Sequence, residues 1–218
     1  MYKIISIDDE KESLPGYSPE KADDFHTASA RSANKKFDQE LKKIKNKEVV
    51  LMCGGSASGK TEFIAKFCPV EDENFEGIIF DSTLPSEKGA EIKIKNIKKS
   101  GNIPVIYFIL PSSLTRCFRA FHKRDRKIPE SEFFKTHSGA RRVALWIAKN
   151  YSEVKIRLYY NRLLEEVIES EKNPQIVIGE SDLGFVEISF ESRSELILFL
   201  EKEQFSEEEI AILIAKER

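Results

Sequence analysis

Between an apolar run, Val49–Cys53, and a helical stretch, Lys60–Phe67, the chain carries Gly54-Gly55-Ser56-Ala57-Ser58-Gly59-Lys60-Thr61. Three glycines in six residues allow backbone turns that a β-carbon forbids. A buried strand must therefore end here and a helix begin, which places the loop at the carboxyl edge of an open sheet. The spacing G-x-x-x-x-G-K-[ST] is that of a P-loop (Walker A), and every fixed position has a mechanical reason. The glycines let successive N–H groups curl inward toward phosphate oxygens, and the following helix presents its positive N-terminus to the same anion. Lys60 reaches the β- and γ-phosphates, and the Thr61 hydroxyl serves as a magnesium ligand. Residues Gly54, Gly55, Ser56, Ala57, Ser58, Gly59, Lys60 and Thr61 are thus read as the binding loop for ATP with Mg²⁺.

The flanking pattern indicates a sheet of several strands. Gly77–Asp81 and Pro104–Leu110 are further buried strands, and Val154–Tyr160 is a fourth. Helices are expected at 86–99, 112–123 and 139–149. Alternation of this kind predicts an α/β fold with a mostly parallel sheet flanked by helices, here a P-loop NTPase of small-kinase type. Residues 1–48 are polar and charged, and they read as a helical N-terminal extension. One helix is expected from Ser18, with Pro19 in its first turn, and another at about 33–46. The core then spans 49–165, with a lid near 123–137. Residues 166–218 complete the fold with a helix at 162–171, strand material at 175–178 or 185–190, and helices at 193–203 and 206–217.

Composition narrows the company this loop keeps. Lys+Arg 35 against Asp+Glu 37 gives a net charge of -2, which argues against broad nucleic-acid or membrane-surface binding. Cys53, Cys68 and Cys117 are odd in number and widely spaced, unlike a disulfide scaffold or zinc site, and they fit a reducing cytoplasm. The amino terminus turns acidic at Asp8-Asp9-Glu10, unlike a secretory signal. No segment approaches the roughly 20 apolar residues of a membrane span.

Two further features bear on chemistry. Asp81 stands at the carboxyl end of the second strand, where open α/β sheets bind ligands. A carboxylate there can take the proton of an attacking hydroxyl or hold a magnesium-bound water, and Thr83 can face the phosphoacceptor. Arg116, Arg119, Lys123, Arg124, Arg126 and Lys127 crowd together downstream. Arginine forks stabilise the charge spread over a moving phosphoryl group, and Arg124 and Arg126, in the loop before Pro129, are the candidates for a closing lid. His122 and His137 have no carboxylate or cysteine at metal-ligand spacing. A GTPase would need an Asn-Lys-x-Asp segment, and none is found.

Taken together, Val49–Thr61, Asp81-Ser82-Thr83-Leu84, Arg124-Asp125-Arg126-Lys127-Ile128-Pro129 and Tyr160-Asn161 resemble the zeta-toxin-like P-loop kinases (zeta toxin / UDP-N-acetylglucosamine kinase type) over about residues 15–165. The resemblance implies ATP-dependent phosphorylation of a small molecule, with Lys60 and Thr61 serving ATP and magnesium. Arg124 or Arg126 would serve the phosphates, and Asp81 and Thr83 the acceptor. The family places an additional Asp-bearing strand after the P-loop helix, whereas only 68–76 intervene here. Either Asp81 takes the general-base role or the substrate site is rebuilt. The family's arginine after Thr-Leu is Pro85 in this chain.

The expected activity is therefore an ATP/Mg²⁺-dependent phosphotransferase with a small hydroxyl-bearing acceptor, catalytic residues being Lys60, Asp81, Arg124 and Arg126. The alternatives are a nucleotide or polynucleotide kinase and a non-catalytic ATP-binding regulatory protein. The extensions could hold a partner such as a neutralising antitoxin.

Overall fold

The structure is a computed structural model, and it describes residues 2–67, 77–126, 128–162 and 184–216. The expected helix at 162–171, beyond its first residue, and the strand material at 175–178 lie outside the described residues.

Six strands form one sheet: β1 Tyr2–Ser6, β2 Glu48–Cys53, β3 Gly77–Asp81, β4 Ile103–Pro111, β5 Lys155–Asn161 and β6 Phe185–Ile188. Their order is β1-β3-β2-β4-β5-β6. The first five run parallel and β6 is antiparallel to β5. The eight α-helices among the described residues are α1 Ile7–Glu12, α2 His26–Leu41, α3 Lys60–Phe67, α4 Glu87–Lys99, α5 Leu114–His122, α6 Glu130–Asn150, α7 Arg193–Lys202 and α8 Glu207–Lys216. This is the mixed α/β architecture expected, with a mostly parallel sheet flanked by helices.

Alternation along β2 explains the layering. Val49, Leu51 and Cys53 point to one face and pack with Phe37 of α2, Ile94 of α4, Val143 and Ile147 of α6 and Leu200 of α7. Val50 and Met52 point to the other, where Phe63 and Ile64 of α3 cover them. A third cluster, Phe118, Phe121, Phe133, Ile210 and Ile214, joins α5, the start of α6 and α8 beside the glycine loop. Both faces of β2 are buried, as a near-continuous hydrophobic strand in a parallel sheet requires.

Three elements differ from the sequence expectation. The first residues, read as part of a helical extension, form β1 and pair in register with β3 from Tyr2↔Gly77 to Ser6↔Asp81. Ile5 packs into the cluster on one face of the sheet and Ile4 lies against the cluster on the other, so the short run is apolar to both sides, a signal that the acidic residues beyond it obscured. Next, the helix expected from Ser18 is a single 3-10 turn, Pro19–Lys21. The continuous helix is α2, whose buried Ser29, Ala33, Phe37 and Leu41 recur every four residues,. Finally, α6 begins at Glu130, ahead of the expected 139, with Glu130 and Glu132 in its first turn, where acids favour the helix dipole. The lid expected near 123–137 therefore divides. Phe133 and His137 are buried within α6, and only the segment before Glu130 is open loop.

Candidate functional site

The glycine loop runs from the end of β2 to the start of α3 and is clamped by four neighbouring parts of the chain. On one side the Gly54 N–H donates to the Thr83 carbonyl at 3.3 Å. At the end of β5, Asn161 Nδ2 donates to the Ser58 carbonyl at 2.8 Å. From α6, Thr136 Oγ1 accepts the Ser56 N–H at 3.1 Å, and His137 Nε2 lies 2.9 Å from the Ser56 carbonyl. The thiol of Cys117 on α5 donates to the Ala57 carbonyl at 3.1 Å.

Close packing explains the glycines. A β-carbon on Gly55 would lie 2.2 Å from the His137 ring, and one on Gly59 would lie 2.1 Å from Asn161 Nδ2. Gly59 also holds φ +94, in the left-handed region that glycine occupies without penalty. Ala57, at φ 61, carries the loop's one left-handed non-glycine residue.

The Ser56 carbonyl demands a proton on His137 Nε2, so Nδ1 is left to accept from Arg141 Nη1 at 3.3 Å. Burial, reinforced by the nearby Arg141 charge, holds the imidazole pKa well below its usual value. His137 is thus a neutral strut, and its role is to fix the loop. Sequence reasoning gave it no weight because no metal-ligand spacing surrounds it. Burial likewise pushes the Cys53 and Cys117 thiols up to about 12, so both are structural.

Lys60 opens α3, and its ammonium turns back into the loop, donating to the Gly54 carbonyl at 3.0 Å and the Gly55 carbonyl at 2.8 Å. Burial lowers its pKa, with Asp81 opposing. Asp81 ends β3, the neighbour of β2, and the Thr61 hydroxyl donates to its Oδ2 at 3.4 Å. Burial raises the Asp81 carboxyl, with Lys60 opposing and Asp8 adding to the rise.

A cleft of about 310 Å³ opens over these groups. Ser56, Ala57, Ser58, Gly59, Lys60, Thr61, Asp81, Thr83, Arg124 and Arg126 all border it, so the structure brings most of the candidate residues to one place. Gly54 and Gly55 lie beneath, where they accept from Lys60. Arg116 and Arg119, on α5, do not line it.

The cleft also holds residues the sequence reading did not select. Asp8, Lys11 and His26 come from the N-terminal segment, and Lys135 from α6. Ser6 ends β1 level with Asp81, and its hydroxyl accepts the N–H groups of Asp8 and Asp9 at 3.2 and 3.3 Å. That N-cap turns Asp8 into the cleft, where its Oδ1 lies 2.5 Å from Arg126 Nη1 and 3.7 Å from Lys11 Nζ. Burial alone would raise the Asp8 carboxyl, but Arg126, Lys11 and Arg124 hold it below the ordinary value. The signal was present in the sequence as a short β run followed by Ser and then acids.

No protein-family model and no curated protein matches the chain. Among solved structures, a match is the crystal structure of AvrRxo1-ORF1:AvrRxo1-ORF2 with sulphate ions. It has 14% identity and a TM-score of 0.44, over 85% of this chain and 86% of that one. The likeness is one of distant outline, and nothing about chemistry or partners follows from it. Among the described residues no helix is long and apolar enough to cross a membrane.

Proposed function

We propose that this chain is an ATP- and Mg²⁺-dependent phosphotransferase of zeta-toxin-like type, acting on a small hydroxyl-bearing molecule. The observation that carries the reading is the juxtaposition at the β2–β3 tips. A glycine loop with a lysine at the first turn of α3 faces a strand-end carboxylate, and the two are linked by the Thr61–Asp81 hydrogen bond of 3.4 Å.

The residues suit the ligands. The loop is too tightly packed at Gly55 and Gly59 to admit side chains, which keeps its backbone available to an anion. Lys60 would exchange its loop carbonyls for phosphate oxygens. The Thr61 hydroxyl would hold Mg²⁺. When bound, that ion would offset triphosphate charge.

In the proposed reaction the acceptor oxygen attacks the γ-phosphorus, the bond from that phosphorus to the ADP oxygen breaks, and the hydroxyl proton passes to Asp81. Arg124 supports the transferring phosphoryl charge, and the Thr83 hydroxyl orients the acceptor.

The test is transfer of γ-labelled phosphate from ATP across sugar nucleotides, nucleosides and oligonucleotides. Transfer to a small acceptor, lost in Lys60→Ala, is the expected result. Transfer confined to 5′-hydroxyl oligonucleotides and weakening steeply with salt would identify a polynucleotide kinase instead. Failure to bind ATP in the presence of magnesium would remove the proposal altogether.

A further inference from the structure

We propose that Asp8 is a positioning residue that anchors Arg126 on the N-terminal wall of the cleft, leaving Arg124 as the loop arginine that serves the donor triphosphate. This inference rests on the phosphotransferase reading of the same cleft and divides its two arginines, which the sequence alone could not separate.

Placement of Asp8 is fixed by the fold. β1 lies parallel to β3 with Ser6 opposite Asp81, and the Ser6 hydroxyl caps α1. Asp8 therefore stands beside the strand tips rather than on a free tail. Its Oδ1 takes the Arg126 guanidinium at 2.5 Å and Lys11 at 3.7 Å. Lys11 is itself buried, so the carboxylate sits between two cations, one of them held by packing. The Arg126 side chain is only 25% exposed. Its charge is supported by Asp8, with Tyr17 and Glu12 of the same N-terminal segment adding to it.

Arg124, two residues earlier, has different surroundings. It is exposed and makes no ion pair with a described residue. It borders the same cleft as Lys60 and lies within electrostatic reach of both that ammonium and the Asp8 carboxylate. An exposed arginine on the cleft that no carboxylate clasps in an ion pair is one whose charge an anion can satisfy. An arginine already clasped by Asp8 would have to break that bond first. The loop between α5 and α6 thus has one exposed arginine on the cleft outside any ion pair with a described residue and one fastened to β1–α1.

The experiment measures binding of a fluorescent methylanthraniloyl-ATP with Mg²⁺ to the full chain. Variants are Arg124→Gln, Arg126→Gln, Asp8→Asn and the Asp8→Asn/Arg126→Gln pair. Hydrogen exchange of residues 123–126 is followed in parallel, and far-UV circular dichroism checks folding. Arg124→Gln is expected to weaken binding roughly tenfold or more, as loss of a charge-assisted contact does. Arg126→Gln and Asp8→Asn are expected to weaken binding several-fold less than Arg124→Gln does, while speeding loop exchange. The double variant should exchange no faster than Arg126→Gln alone, because Asp8 acts through that arginine. Asp8→Glu, which keeps the charge, should restore slow exchange and guards against a folding defect in Asp8→Asn.

Affinity lost equally in Arg124→Gln and Arg126→Gln would overturn the division. So would loop exchange unchanged in Asp8→Asn. A wild-type chain that does not bind the probe overturns the phosphotransferase reading itself, and the division falls with it.

Discussion

Replacing Gly55 by alanine tests the idea that the glycine loop is held by a rigid strut. Its backbone is not in the left-handed region, so alanine there is conformationally unstrained and the whole cost is steric. The new methyl would meet the His137 ring at 2.2–2.4 Å, where ordinary contact begins at 3.4 Å. Loop or ring must therefore yield by about 1 Å. The ring cannot swing away cheaply. His137 is fully buried, its centroid is 4.2 Å from that of Phe133, and its nitrogens are bonded to Ser56 and Arg141. Overpacking of this kind costs about 1–3 kcal/mol, and a displacement of that size at a reacting centre lowers turnover about a hundredfold. In urea unfolding, with a slope near ~2 kcal/mol per molar, the midpoint should fall by about 1 M.

The decisive control is the double variant Gly55→Ala/His137→Ala. His137→Ala alone should cost roughly 2–4 kcal/mol through the cavity and the lost Ser56 bond. Combined, the methyl enters the space the ring vacated, so the double variant should be more stable than the sum of the singles predicts by about 1–2 kcal/mol. Strict additivity would refute the strut.

Other expectations follow from the same geometry. Lys60→Ala should abolish phosphate transfer while leaving the circular dichroism spectrum unchanged. Asp81→Asn should slow transfer far more than it weakens ATP binding, and it should raise the urea midpoint at neutral pH. The folded Asp81 carboxyl is raised by burial, so wild-type stability falls as pH climbs from the ordinary carboxylate pKa through the raised value, and the variant should lack that fall. Asp8 has the opposite sign. Its folded pKa is lowered, so its stabilising contribution is present above the ordinary carboxylate pKa and lost as pH falls through the lowered one. Asp8→Asn should therefore flatten the acid limb, by a modest amount because the side chain is 44% exposed,. Asn161→Ala leaves the Ser58 carbonyl without its donor, and it should cost about 1–3 kcal/mol in chemical unfolding.

The glycine loop, β3 with its terminal acid, and β4 were legible because each rests on a local cue: glycines with a lysine, or a buried apolar run closed by polar residues. Their neighbours were harder for identifiable reasons. β1 has only Ile4 and Ile5 as aliphatic residues before Ser6, and its pairing partner lies far along the chain, so the short run is visible locally but its place beside β3 is not. Asp8 inherited that blindness, since its importance depends on β1 being beside β3. His137 and Asn161 act on the backbone of the loop, through the carbonyls of Ser56 and Ser58. A side chain that serves backbone groups leaves no pattern of spacing to read. Arg124 and Arg126 looked equivalent in sequence because the ion pair distinguishing them is supplied by that same distant strand.

The pairing of β1 with β3 also governs when the cleft comes into being. Its partners are about 75 residues apart along the chain, and closing so long a loop carries an entropic cost that local contacts do not repay. β1 stands at the edge of the sheet and pairs only with β3, whereas β2 and β4 are paired on both sides, so β1 is expected to be the last strand to dock. Until it does, Asp8 is not beside Arg126 and one wall of the cleft is missing. A chain caught before that docking would have the glycine loop assembled with the cleft still open on the β1 side.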